Sequence, residues 1–281
     1  MAMVDMRDLL YHAYNNHYAV GAFEVVNLDF LHAVIDAAEK SRSPVILNLV
    51  TTHFDLFDVE IMMSAVTHAA KRSSAPVAIH FDHCKTPDSV RDAIRLGCNS
   101  IMYDASDRSF PVNVEKTCQI VELAHACGIP VEGELGYVAG MSPDGEHSNE
   151  DVSRLTPVNE TTAYIDRTGI DFLAISIGTV HGRAKNKPRL DYHRLARINE
   201  SIKIPLVIHG GTGLTDAQYH KLIDHGVAKI NYFTALAEIA FKEIKTNVKH
   251  WVISNNLIKT AFIGGSIIFV ILAIKVFISY E

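Results

Sequence analysis

No two cysteines of this chain stand in a C-x-x-C spacing. Cys84, Cys98, Cys118 and Cys127 are scattered, which argues against a disulfide framework and leaves them as reduced thiols, mostly in the core. Long runs of Lys or Arg are also missing, and the net charge of −6 is spread with both signs interspersed. Nothing therefore marks a nucleic-acid face, and no nucleic-acid partner is expected. The N-terminus MAMVDMRDLL is acidic and lacks the charged-then-apolar order of a signal peptide, so a cytoplasmic protein is expected. No internal repeat, linker or low-complexity stretch divides residues 1–250. The first apolar run continues as GAFEVVN, which is not a dinucleotide-phosphate fingerprint and speaks against a doubly wound open sheet.

What is present is a series of eight short apolar runs, continuous and not alternating, as buried parallel strands read. They cover about 19–25, 44–50, 76–82, 100–105, 130–136, 172–178, 205–211 and 228–233. Three open with Pro-Val and a fourth with Pro-Leu; proline at a strand's first position removes no ladder bond that the strand needs. Amphipathic helices are expected between them, at Phe30–Lys40, Pro87–Leu96 and Val114–Ala126. The last two end near Gly97 and Gly128, which suit the position just past a helix. Eight strand–helix units in 281 residues imply an α/β fold, the TIM (β/α)8 barrel, which typically takes about 250 residues.

Three histidines stand at or just beyond strand ends: His83 in AIHFDHC, His181 in IGTVHGR and His209 in LVIHGGTG. In a barrel these ends converge on one rim, so three imidazoles distant in sequence can meet around one metal ion. Three protein ligands with an open fourth position is how catalytic zinc is held. Any one of them alone reads more simply as an ordinary barrel residue; the shared placement is what raises the metal reading. Asp82 precedes His83 and can move a substrate proton or orient an imidazole. Asp104 ends the fourth run. Glu132 and Glu134 share one face of the fifth, where a carboxylate must be paired or metal-bound, so one or both are structural. Asp104 and Glu134 also offer an alternate metal position. The turn Gly210-Gly211-Thr212 after the seventh run, with Asn231 and Thr234 at the eighth, has the character of the phosphate site of this fold. The polar stretch from Gly136 to about Pro157 is too long for a plain turn and is expected to be a lid.

With these pieces the chain resembles the class II, zinc-dependent ketose-bisphosphate aldolases, the fructose- and tagatose-bisphosphate aldolase family. The resemblance spans roughly residues 1–245 and rests on DH at 82–83, MYDAS at 102–106, EGELG at 132–136, IGTVHG at 177–182, HGGTG at 209–213 and KINYFTAL at 229–236. It implies Zn2+ on His83, His181 and His209, with Asp104 and Glu134 as further metal-site carboxylates. It implies Asp82 as the acid and base at the C4 hydroxyl of a phosphorylated sugar. Gly182, Gly210, Gly211, Thr212, Asn231 and Thr234 would hold dihydroxyacetone phosphate, with a monovalent cation, Na+ or K+, nearby. A homo-oligomer is also implied.

The pattern departs in places. Where relatives carry a loop glutamate as proton carrier at C3, eight residues beyond Glu134, this chain has Ser142; Glu146, or Asp144, is the expected substitute. Glu24 stands where strand one of relatives reads asparagine, and repels a phosphate while favouring a hydroxyl or amine. His53 is an additional histidine expected at the rim. The chain is thus expected to comprise a barrel over residues 1–250 and an apolar tail over 251–281. Fifteen uncharged residues lie between Lys259 and Lys275, short of the ~20 that a span takes unless Lys275 snorkels. Readings of residues 257–280 are a membrane anchor, a buried or interface helix, or a tail foreign to the family. Alternatives to the aldolase are a related zinc lyase on a different substrate, and a non-catalytic barrel tethered by its tail.

Overall fold

The structure, a computed structural model, describes residues 3–51, 54, 57–138, 155–182 and 188–251. Eight parallel strands close into a barrel in sequence order: β1 (Val20–Glu24), β2 (Val45–Val50), β3 (Val77–Cys84), β4 (Ser100–Tyr103), β5 (Val131–Leu135), β6 (Phe172–Ile175), β7 (Leu206–Ile208) and β8 (Val227–Tyr232), with β8 pairing back onto β1. The TIM barrel expected from the eight apolar runs is the observed fold. Its strands are apolar on both faces because both are covered. Leu47, Leu49, Ile79, Phe81 and Ile101 face outward, under the helices. Ala22, Ile46, Ala78, Met102, Ala174 and Val207 fill the lumen.

The helices follow local signals. α2 (Leu28–Ser41) opens on Asn27, whose side chain accepts from Phe30 N at 2.9 Å, and α3 (Val59–Arg72) opens on Asp58. In α4 (Pro87–Arg95) Thr86 and Ser89 cap each other around Pro87 at the first turn. α5 (Phe110–His125), α6 (Val158–Thr168), α7 (Tyr192–Ser201), α8 (Asp216–Asp224) and α9 (Thr234–Trp251) complete the outer ring. Gly97 and Gly128 take positive φ (92° and 73°) just past α4 and α5, as their place in the sequence suggests.

One element was not anticipated. α1 (Met6–Asn15) precedes β1 and plugs the bottom of the barrel, burying Met6, Leu9, Leu10 and Ala13 against the lumen residues. Arg7 Nε bonds Asp171 at 2.6 Å and fastens this plug to the barrel wall. With the floor closed by apolar packing, the polar lumen residues are sealed from solvent on that side. Asn48, His80, Asp82, Glu132, Lys229 and His209 are all buried.

α9 is an amphipathic helix carrying Glu238, Lys242, Glu243 and Lys245. The apolar tail expected beyond it lies outside the described residues. Among the described residues no helix is long and apolar enough to cross a membrane.

Candidate active site

β3 does not end as a regular strand. Its register against β4 shifts between Phe81 and Cys84, and His83 takes φ 53°, a left-handed conformation rare outside glycine. Such a residue stores about 1–3 kcal/mol of strain. The shift lets Asp82 and His83, adjacent in sequence, both face the barrel mouth, where regular pleating would send them to opposite faces.

His83, His181 and His209 converge there. Their ring centroids lie 4.9 Å (His83–His209), 5.3 Å (His83–His181) and 5.6 Å (His181–His209) apart, and a nitrogen from each falls within 4.8 Å of the others. His83 Nδ1 bonds Asp104 Oδ2 at 3.0 Å, and His209 Nε2 bonds Glu132 Oε1 at 2.9 Å. These carboxylates hold the outer ring N–H groups and turn His83 Nε2 and His209 Nδ1 toward one point, 3.2 Å from each other. Carboxylate-oriented imidazoles sharing a focus are a donor set that suits a divalent transition metal such as zinc. Burial, then the two neighbouring imidazoles, lower His181 to about 3, so it stays neutral and available as a ligand.

Two other groups have ligand-like spacing. His83, Asp104 and Glu134 form one beside the first. Burial, then the Asp104 charge, push Glu134 up to about 7; its Oε1 accepts from Val138 N at 3.1 Å. His80, Asp82 and Glu132 form the other, deeper in the lumen. There Lys229 Nζ already lies 2.8 Å from Glu132 Oε2, so the positive charge comes from the protein itself.

Asp82 is fully enclosed. Its Oδ2 accepts from Asn48 Nδ2 and Asn231 Nδ2, both at 2.8 Å, and His80 Nε2 lies 3.6 Å from Oδ1. Burial alone would raise its pKa, yet the charges of His83, His209 and Lys229 outweigh burial and hold it well below the usual carboxylate range. Glu24, at the end of β1, behaves oppositely: burial, then the Asp82 charge, push it up to about 8.

These groups open into a cleft of ≈ 570 Å³ whose lining includes Glu24, Asp82, His83, Lys85, Asp104, Glu134 and His181, together with Gly182, Gly210, Gly211, Thr212, Asn231 and Thr234. Gly210 has φ 69°, and a Cβ there would meet Val180 O at 2.1 Å; at Gly211 it would meet Ile230 Cγ2 at 2.6 Å. The turn therefore packs against its neighbours as only glycine allows. Thr212 Oγ1 accepts from Ala235 N at 3.3 Å in the first turn of α9, joining the glycine turn to that helix N-terminus.

The family model for class-II fructose-bisphosphate aldolase matches residues 4–263. The chain belongs to the class II aldolase family. It is 37% identical over 243 residues to the sulfofructosephosphate aldolase of Alkalicoccus urumqiensis, covering 86% of this chain and 84% of that one. It is 39% identical over 244 residues to the fructose-bisphosphate aldolase of Geobacillus stearothermophilus, with coverage of 86% and 84%. The X-ray structure of the YdjI aldolase from Escherichia coli K12 superposes with a TM-score of 0.86 at 31% identity, over 99% of this chain and 98% of that chain.

Set against the class II aldolase pattern, the structure brings His83, His181, His209, Asp82, Asp104 and Glu134 to one end of the barrel, with the glycine turn beside them. Asn231 has its amide committed to Asp82 and, at 3.4 Å, to the His209 ring. Of the two strand-five glutamates, Glu132 is the paired one and Glu134 the one lining the cleft. Ser142, Asp144, Glu146 and most of the expected lid lie outside the described residues, as does His53. Its flanks are tied together: Thr156 Oγ1 donates to Leu135 O, and Thr156 N to Ser176 O at 2.9 Å. Sequence reasoning missed Lys229, His80 and Asn48 as supports of the site. The available signal was charge or polarity within otherwise apolar strands, as in AKINYF.

Proposed function

We propose that this class II aldolase uses Zn2+ to cleave a phosphorylated ketose reversibly into dihydroxyacetone phosphate and an aldehyde. The observation that carries this reading is the convergence of three imidazoles, two of them held by carboxylates, beside the buried Asp82 and a glycine turn. His83, His181 and His209 would hold the metal, with Asp104 and Glu134 as an alternate position. When bound there, zinc supplies Lewis-acid polarisation of the substrate carbonyl.

The chain's own groups do the rest. Asp82, held as a carboxylate and fixed by Asn48 and Asn231, takes the C4 hydroxyl proton as the C3–C4 bond breaks and returns it on condensation. Glu146, or Asp144, is the proposed proton carrier at C3. The turn Gly210-Gly211-Thr212, the α9 N-terminus at Thr234, Gly182 and Asn231 hold the phosphate end, where backbone N–H groups and the helix dipole favour an anion. A monovalent cation is proposed beside that phosphate.

Metal content and aldol cleavage of purified protein test this together. Full-length protein should carry about one zinc per chain, lose cleavage on exhaustive chelation and regain it on zinc addition. His181→Ala should lose both metal and turnover. Undiminished cleavage after complete metal removal would sink the reading.

A further inference from the structure

Glu24 is the cleft residue that the aldolase pattern does not account for. We infer that Glu24 is a specificity-determining residue that reads the aldehyde half of the substrate, accepting a hydroxyl-bearing, uncharged chain and disfavouring a second phosphate. This rests on the aldolase reading above and names the substrate class for it, a ketose 1-phosphate.

The placement follows from the sheet. Glu24 ends β1 and is paired in the ladder with Asn48, whose amide donates to Asp82 Oδ2 at 2.8 Å. Alternation along β1 sends Ala22 into the lumen, so Glu24, two residues on, faces the same side at the mouth. Asp82 is the charge that acts on it most strongly. The two carboxyl groups therefore flank one part of the cleft, and Asp82 is the group assigned to the C4 hydroxyl. What meets Glu24 is the substrate chain around and beyond C4.

The charge geography of the cleft agrees. Its anion-favouring end is the glycine turn and the α9 N-terminus, beside β7 and β8. Beside it on the rim β1 brings the carboxyl group of Glu24, and beyond that the lining carries those of Asp82, Asp104 and Glu134. Among the described lining residues the one lysine, Lys85, is held by Asp104 at 2.6 Å. A phosphate dianion brought next to Glu24 and Asp82 meets like charge in a largely buried space, which costs binding. A hydroxyl does not. It donates to a carboxylate or accepts from a carboxylic acid, and so suits Glu24 in either protonation state.

The test compares full-length, zinc-loaded wild type with Glu24→Asn and Glu24→Gln on a ketose 1-phosphate and the matching 1,6-bisphosphate. Two readouts are taken: the ratio of kcat/KM values, and the ratio of apparent Kd values from thermal shift, which needs no turnover. Wild type should prefer the 1-phosphate, and Glu24→Asn should move both ratios toward the bisphosphate by about tenfold or more. Glu24→Gln, which keeps the shape and removes the charge, should move them in the same direction. Ratios that stay within about twofold of wild type in both variants, or a wild type that prefers the bisphosphate, overturn the inference. Loss of cleavage for every substrate with the binding ratios still shifting would overturn the aldolase reading and leave the role of Glu24 standing.

Discussion

His209 Nε2 lies 2.9 Å from Glu132 Oε1, with both side chains fully buried. The carboxylate fixes which ring nitrogen carries the proton and leaves Nδ1 facing His83. Glu132 in turn depends on Lys229, whose ammonium is 2.8 Å from its other oxygen. The proposed metal ligand His209 is thus oriented by a charge pair sealed within the lumen.

Removing that pair as a unit tests its effect on the metal without leaving a lone buried charge. The double variant Glu132→Gln/Lys229→Met should fold, yet bind zinc about 10–100-fold more weakly, the usual effect of losing an orienting partner of a metal histidine. Competition with a chromogenic chelator measures this. Unchanged zinc affinity would mean that His209 needs no carboxylate to hold its tautomer.

Lys229→Met alone should do something different. It strands the Glu132 carboxylate in a site with no exposure, and removing one partner of a buried pair typically costs about 3–5 kcal/mol. Denaturant unfolding should show the single variant markedly less stable than the double one. A single variant as stable as wild type would show that Glu132 accommodates its charge or its proton without the lysine.

The fold was legible because parallel barrel strands, covered on both faces, appear as uninterrupted apolar runs, as in PVILNLV and PVAIHFD. The metal-site candidates were legible for a related reason: histidines and carboxylates stand out at the ends of such runs. α1 was not, because MRDLLYHAYN shows a helical stripe only when one asks what closes the barrel floor. Nor was the left-handed His83, since positive φ outside glycine leaves no mark in composition. Lys229 could have been found, because a lysine in the middle of AKINYF demands a buried partner, and Glu132 is one of few residues able to supply it.

Gly210 offers a test of the turn that is independent of catalysis. With φ 69° and Val180 O at 2.1 Å from any Cβ, Gly210→Ala must shift the turn or the loop that carries His181. The expected outcome is a stability loss of about 1–3 kcal/mol together with weaker phosphate-ester binding, since the displaced amides no longer share a focus. Calorimetry of unfolding and of phosphate binding read the two separately. Gly213→Ala is the comparison: φ is 85° there as well, but nothing lies within 4 Å of the added carbon. It should lose stability through backbone strain alone. Equal effects from the two substitutions would remove the close-packing argument.

The buried acids also give the metal-free protein a pH dependence with a defined sign. In the folded chain Glu24 is raised from 4.5 to about 8, Glu134 from 4.5 to about 7, and His83 from 6.5 to about 9. Glu24 is raised by burial and then Asp82, Glu134 by burial and then Asp104. For His83, burial pulls the other way and is outweighed by Asp82 and Asp104. Each group binds its proton more tightly folded than unfolded. Each therefore contributes stability that is complete below its unfolded value and lost as pH rises through its folded value. His181, lowered from 6.5 to about 3, works in reverse, and its cost is felt only below 6.5. From pH 6.5 upward all the terms point one way, so the melting temperature of chelator-treated protein should fall steadily toward pH 9. Glu24→Gln removes one contributor and should make that slope shallower. Zinc should flatten it further, because the His83 nitrogen that faces His209 would then bind metal in place of a proton. A melting temperature that stays level or rises over this range would show that the folded chain holds no extra protons there, with these carboxyls already ionised and His83 neutral.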